Sequence, residues 1–253
     1  MSNDPRLWLG QPLDPSIPIS LSREQSHYLV SVMRRETGSC VRLFNGKDGE
    51  WRGEIVEAHR KAVILKLVEQ TRAQVSSPDL SLYYAPVKRQ KNELIVEKAT
   101  ELGASLIRPV VTARTQKDRL RMDRFEIIAI EAAEQTERLD LPQLLEIERL
   151  ENILPRWDAS CPLYYCDEAG DDPDAPWGGP DGRAGPMFDV VKSVGDVRGA
   201  ILIGPEGGFS TAERTRLHEL DFVHPVTLGP RILRAETAAV SALTIWQAAC
   251  GDW

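Results

Sequence analysis

Long apolar runs are missing from this sequence. No apolar run approaches the roughly 20 residues that span a bilayer, and the opening MSNDPRLWLGQPLDP lacks a basic start followed by a long apolar stretch. The expected location is the cytoplasm. Cysteine is scarce: Cys40, Cys161, Cys166 and Cys250 form no CxxC pair, and none of the four histidines sits at ligand spacing from them. No metal site is expected from that arrangement. Positive charge is also short, with 31 Lys+Arg against 38 Asp+Glu and a net charge of −7. Taken alone, this argues against a nucleic-acid partner, because phosphate contacts need a basic footprint.

The distribution of charge reverses that conclusion. Residues 1–75 carry 11 Lys+Arg against 9 Asp+Glu, and residues 80–125 carry 10 against 5. Residues 126–190 hold only 4 against 16, so the acidity is confined to one segment. A hydrophobic fraction of 42% over 253 residues suits one large globular domain or two ordinary ones and excludes disorder of the whole chain. There is no internal repeat of fixed period.

The chain is organised around Gly199–Ala239. Two apolar runs, Ala200–Ile203 and Val223–Leu228, each lead through a glycine turn toward a helical pattern, and α/β proteins place ligands at such strand ends. The first turn, Gly204-Pro205-Glu206-Gly207-Gly208, keeps side chains away from a ligand lying against the backbone. Ser210 with Glu213 three residues on predicts a capping box and a helix start. The second turn, Leu228-Gly229-Pro230, precedes Arg231-Ile232-Leu233-Arg234-Ala235-Glu236-Thr237. From there Ala239, Leu243, Trp246 and Cys250 share one face of a C-terminal helix.

Residues 1–75 read as a small β-rich domain, with strands at Cys40–Phe44, Trp51–Val56 and Ala62–Val68 and turns at Asn45-Gly46 and Asp48-Gly49. A helix capped by Ser22 is predicted to reach Arg35. Gln74–Pro78 suits a linker. Beyond it, strands at Leu80–Ala85 and Leu106–Val111 flank a helix at Asn92–Leu102, whose apolar stripe is Leu94, Ile95, Lys98 and Leu102. A helix over Asp123–Glu137, a strand at Leu163–Cys166 and a mobile Gly/Pro/Asp-rich loop over residues 169–186 follow. Alternating strands and helices predict a mostly parallel sheet over residues 76–253.

LIGPEGGFS with downstream LGPRILRAETA, upstream KNELIVEKATELG and EAAEQTER, and the N-terminal HYLVSVMRRETGSCVRLFNGKDGEW together resemble the RsmE family. These are bacterial methyltransferases of small-subunit ribosomal RNA that modify N3 of a uridine and belong to the SPOUT, or trefoil-knot, superfamily. The match runs in order over nearly the whole chain. It implies a PUA-like β-barrel RNA-binding domain at residues 1–75 and an α/β SPOUT knotted methyltransferase domain at residues 76–253. It also implies S-adenosylmethionine as cofactor, 16S ribosomal RNA within the small subunit as substrate, and a homodimer packed through the last helix.

Carried over by resemblance, the cofactor wall is Leu202, Ile203, Gly204, Pro205, Glu206, Gly207, Gly208, Leu228, Gly229, Ile232, Leu233 and Thr237. The other loop of that wall falls near Tyr165, and no role is assigned to Cys166, Asp167 or Glu168. Glu137 stands where the family often has a small residue. Uracil N3 carries a proton, so catalysis must stabilise the deprotonated ring. Arg234 is the candidate for holding the charged base or its phosphate, and Glu236 is a candidate base or ligand of the cofactor amine; a plain Arg234–Glu236 salt bridge is the structural alternative. The expected RNA footprint is Arg6, Arg34, Arg35, Arg114, Arg119, Arg121 and Arg138, with Trp8 as a stacking surface. Methylation of a ribose 2'-oxygen and non-catalytic RNA binding stand as alternatives. A phosphate-binding enzyme is disfavoured, because neither a following Lys-Ser/Thr pair nor GxGxxG is present.

Overall fold

The computed structural model describes residues 4–115, 120–167 and 184–253. Two compact units emerge, Met1–Ser76 together with Ala133–Leu141, and Ser77–Ala132 together with Pro142–Trp253.

The first unit holds β1 (Arg6–Trp8), β2 (Ile19–Ser20), α1 (Arg23–His27), β3 (Cys40–Phe44), β4 (Glu50–His59) and β5 (Ala62–Arg72). Its sheet runs β1-β3-β4-β5-β2, parallel between β1 and β3 and antiparallel elsewhere. Alternation along the strands sends Val41, Leu43, Ile55, Val63, Leu65 and Leu67 into one core with Leu7 and Leu29. Gly46 and Gly49 take φ of +79° and +75° between β3 and β4, as the Asn-Gly and Asp-Gly pairs predicted.

The Ser22 cap is present, closed reciprocally by Gln25. The helix predicted to reach Arg35 ends earlier, in a π-helical turn at Tyr28–Val32. Arg34 takes a left-handed φ of +53°, and the Arg35 amide donates back to the Leu29 carbonyl at 2.9 Å. That closure is the one glycine usually makes, so the sequence held no visible stop signal.

The second unit comprises β6 (Asp79–Tyr84), α2 (Arg89–Glu101), β7 (Leu106–Val111), α3 (Met122–Gln135), β8 (Gln143–Leu144), β9 (Glu148–Arg149) and α4 (Leu150–Ile153). It continues with β10 (Leu163–Cys166), β11 (Gly185–Pro186), α5 (Met187–Val194), β12 (Arg198–Ile203), α6 (Thr211–His218), β13 (Val223–Thr227) and α7 (Ala235–Cys250). The end of α3 belongs to the first unit. Its strands are all parallel in the order β11-β13-β10-β12-β6-β7-β8, with β9 beside β7. Buried on both faces, β10 and β12 read as nearly unbroken apolar runs.

Leu80, Leu82, Tyr84, Tyr164, Ile201 and Ile203 face one core with Ile95 of α2, Val191 of α5 and Leu243 and Trp246 of α7. The alternate residues Leu163, Tyr165, Ala200 and Leu202 face Leu150, Ile153, Phe209 and Leu217 on the other side. Most of the loop predicted over residues 169–186 lies outside the described residues; its end, Gly185–Pro186, is a strand on β13. The buried face of α2 is Asn92, Ile95, Val96, Ala99 and Thr100; of the predicted stripe Ile95 is buried and Leu102 packs against the core, but Leu94 is exposed. Asn92 goes inside because its amide closes on the Val87 N–H and carbonyl at 2.9 and 2.7 Å.

The segment Ala133–Leu141 completes the first unit around Arg6. Buried at 7% exposure, the Arg6 guanidinium donates to Glu50 at 2.7 Å and to the carbonyls of Ala133, Glu134 and Arg138 at 2.7, 3.1 and 2.9 Å. It caps the C-terminal carbonyls of α3, so the expectation of Arg6 as an RNA contact is corrected: its donors are spent inside the fold. Arg138 is corrected likewise, its buried side chain donating to Asp140 at 2.6 Å. Glu137, beside it, takes a φ of +61°, a backbone that small residues tolerate best. Arg42 binds its carboxylate at 3.0 Å and Arg72 its carbonyl at 2.7 Å.

Candidate active site

The two glycine turns meet at the C-terminal ends of the central strands. Ile203 ends β12, Cys166 ends β10 and Val226 lies near the end of β13, which are adjacent in the sheet, so the turns that follow face one cavity of about 670 Å³. This is a volume suited to a nucleotide-sized ligand. Of the wall that the resemblance implied, Ile203, Gly204, Pro205, Glu206, Leu228, Gly229, Ile232 and Leu233 line it, and so does Arg234. Leu202, Gly207, Gly208, Glu236 and Thr237 are not among the lining residues. Leu202 is turned into the opposite core by strand alternation, and Thr237 is exposed on α7.

Local sequence fixes each turn. Gly208 takes a φ of +66° while its amide donates to the Pro205 carbonyl at 2.8 Å, and Gly229 takes +109°. At Gly204 a Cβ would lie 2.5 Å from the Phe209 ring, which is itself buried edge-on against Tyr165. Glycine is therefore required there by contact. The predicted capping box is present: Ser210 Oγ accepts from the Glu213 amide at 3.3 Å, and Glu213 accepts from the Ser210 amide at 2.9 Å. The second Glu213 oxygen accepts from the Ala113 amide at 2.7 Å. Arg114 donates to the Gly207 carbonyl at 2.8 Å, which ties the loop after β7 to the first turn.

Charge is paired differently from the Arg234–Glu236 bridge that stood as the structural alternative. Glu236 faces Lys91 Nζ at 3.5 Å, and Lys91 donates to Glu206 at 2.6 Å, so one lysine joins the first glycine turn to the start of α7. That hydrogen bond holds the Glu206 carboxyl below its ordinary range and raises the Lys91 ammonium above its own. The other Glu236 oxygen is buried with no hydrogen-bond partner among the described residues. Arg234 is the N-cap of α7, is exposed and is one of the residues lining the cavity.

Sequence reasoning missed Lys88, Lys91, Cys166 and Asp167, all of which line the cavity. Asp167 is buried, with Arg214 at 3.0 Å and His218 at 3.6 Å, both from α6. An aspartate directly after the last residue of a predicted strand was the available signal. Of the expected RNA-facing arginines, Arg34, Arg114 and Arg121 are exposed and Arg35 is half-buried; Arg121 also pairs with Asp123 at 2.6 Å. Arg119 and Glu168 lie outside the described residues.

A parallel sheet with a glycine-walled cavity at its strand ends, in a chain that also holds a small five-stranded sheet, matches one class of protein. Residues 75–247 match the family described as RNA methyltransferase domain, and residues 21–68 match the RNA methyltransferase PUA domain. The ribosomal RNA small subunit methyltransferase E of Buchnera aphidicola subsp. Schizaphis graminum is 30% identical over 258 residues, covering 98% of this chain and 97% of the relative. That of Bacillus subtilis is 29% identical over 245 residues, 92% and 91% of the two chains.

A methyltransferase of Legionella pneumophila, solved with S-adenosylmethionine bound, superposes with a TM-score of 0.82 at 29% identity over 100% of both chains. The fold is shared as well by the ribosomal RNA small subunit methyltransferase E of Neisseria gonorrhoeae, with a TM-score of 0.82 at 23% identity over 99% and 100% of the chains. The chain belongs to the ribosomal RNA small subunit methyltransferase E family. Among the described residues, no helix is long and apolar enough to cross a membrane, and no group of His, Cys, Asp and Glu is placed to hold a metal.

Proposed function

We propose that this chain methylates N3 of a uridine in 16S ribosomal RNA, using S-adenosylmethionine, and that it acts in the cytoplasm as a homodimer on RNA of the small ribosomal subunit. The cavity at the strand ends carries this reading: two glycine turns expose backbone groups and Glu206 stands at the rim, while Glu236, off the lining, keeps one buried oxygen without a hydrogen-bond partner among the described residues. When bound, S-adenosylmethionine supplies an electrophilic methyl group on a sulfonium. Ile203, Val226, Leu228, Leu233, Ala235 and Ala238 offer its adenine and aliphatic parts an apolar wall, while the backbone of Gly204–Glu206 and Leu228–Gly229 reads its polar edges. Glu206 and Glu236 favour its positive charges, and Arg234 offers a planar fork of donors to the target base or its phosphate.

Arg34, Arg35, Arg114 and Arg121 are the remaining candidates for RNA contact. Ile232, 85% exposed on the cavity lip, is an apolar surface that a second copy would cover.

The test is methyl transfer to unmodified small subunits, followed by digestion to nucleosides. The expected product is N3-methyluridine, and a methyl on ribose or on no nucleoside overturns the proposal. Arg234→Ala is expected to lower kcat by about 10²-fold, the scale for losing one charge-stabilising donor, and unchanged turnover would remove Arg234 from the mechanism.

A further inference from the structure

We propose that Lys91 supplies the positive charge that meets the uracil ring as N3 loses its proton, an assignment that rests on the N3-uridine reading above. Lys91 sits in the first turn of α2, with Lys88 as N-cap and Arg89 beside it, and that turn holds no acidic residue. Basic residues there work against the helix dipole, so helix stability does not explain them. Lys88 and Lys91 both line the cavity, where the helix dipole adds to their positive charge.

Two features separate Lys91 from a fixed structural cation. Its short bond goes to Glu206, a side chain 44% exposed on the glycine turn, and an exposed pair of that kind is weak and exchangeable. Its other carboxylate, Glu236, lies 3.5 Å away. The ammonium is thus tethered at the cavity, on a flexible stem with rotatable donors, and free to change partner when a better anion arrives. Its bond to Glu206 also keeps it charged through the neutral range.

The uracil anion is such a partner. Removing the N3 proton leaves the electron pair on the ring, shared with the two flanking carbonyl oxygens. An ammonium donating to one of those oxygens stabilises the anion more than the neutral base, which selects for the reacting state. The proton passes to solvent, the ring's electron pair forms the N3–CH3 bond, and the electrons of the broken methyl–sulfur bond stay on sulfur. One negative and one positive charge disappear together, and Lys91 remains protonated throughout.

Lys91→Gln and Lys91→Arg are compared with the unaltered enzyme on unmodified small subunits across pH, and calorimetry measures S-adenosylmethionine affinity on each protein alone. Lys91→Gln is expected to lower kcat by about 10²-fold, to move the alkaline rise of the rate upward in pH, and to leave cofactor Kd within a factor of about 3. Lys91→Arg recovers part of the rate. A fall in kcat with an unmoved pH profile, or a Kd that weakens with kcat while the pH profile stays still, would make Lys91 a staple or a cofactor ligand and overturn the proposal.

Should Lys91→Gln fail to fold, Lys91→Arg is tested on subunits built with 5-fluorouracil, whose N3 is more acidic. Its deficit shrinks there if Lys91 stabilises the anion and persists if it does not. Methylation by the unaltered enzyme anywhere but N3 overturns the functional reading as well, whereas N3 methylation with an unmoved Lys91→Gln profile overturns this assignment alone.

Discussion

Truncating Arg6 to alanine removes four hydrogen bonds at once, one to Glu50 and three to the carbonyls of Ala133, Glu134 and Arg138. Glu50 is left with a side chain 1% exposed, and its remaining neighbours are the Thr71 hydroxyl at 3.0 Å and Arg42 at 3.7 Å. Breaking a buried pair by deleting one partner costs about 3–5 kcal/mol, because the surviving charge stays in a medium that solvates it poorly. The stranded carbonyls at the end of α3 push the cost toward the upper part of that range. We expect a loss of about 4 kcal/mol, a large share of the ~5–15 kcal/mol that holds a typical domain. Urea unfolding followed by circular dichroism measures it, as a lowered midpoint for the first unit. A change below about 1 kcal/mol, the ordinary scale for a surface substitution, would refute the clamp. Arg6→Met with Glu50→Gln should recover much of the loss, since both charges then leave together.

Two further outcomes follow from local geometry and titration. Gly204→Ala sets a Cβ 2.5 Å from the Phe209 ring, so the ring or the turn must move; we expect about 1–3 kcal/mol of lost stability and weaker S-adenosylmethionine binding by calorimetry, and unaltered binding would show that the turn does not shape the cavity. Burial lowers the His224 imidazole below its ordinary value, so the folded state binds its proton more weakly than the unfolded one. Its contribution is therefore present above the ordinary histidine pKa of about 6.5 and is lost as pH falls below it, and His224→Gln should flatten that part of the stability profile in acid titrations.

What could be read in the sequence was what depends on local chemistry. The capping box at Ser210, the glycine turns and the strands that precede them rest on residues within a few positions of one another, and each formed where expected. The face of α2 was misread because Asn92 is polar by type but fully satisfied by Val87, and periodicity counts only polarity. Arg6 was taken for a surface charge because composition cannot distinguish a solvated guanidinium from one with an acceptor 127 residues away, and Arg138 because its neighbour Asp140 does not reveal that the pair is buried. Lys91 was missed for a similar reason, its partner Glu206 being 115 residues distant. One local sign was available: three basic residues, Lys88, Arg89 and Lys91, crowd the wrong end of a helix dipole.

The return of Ala133–Leu141 to the first unit has an evolutionary and practical consequence. A module encoded in one continuous stretch can be copied, deleted or exchanged by a single recombination event. This one cannot, since a fragment ending at Ser76 would carry Arg6 and Glu50 without the carbonyls that Arg6 binds. Shuffling between relatives would need two crossovers that land in register. Anyone wishing to study the small unit alone should graft the 133–141 segment back onto it by a linker or supply it as a peptide.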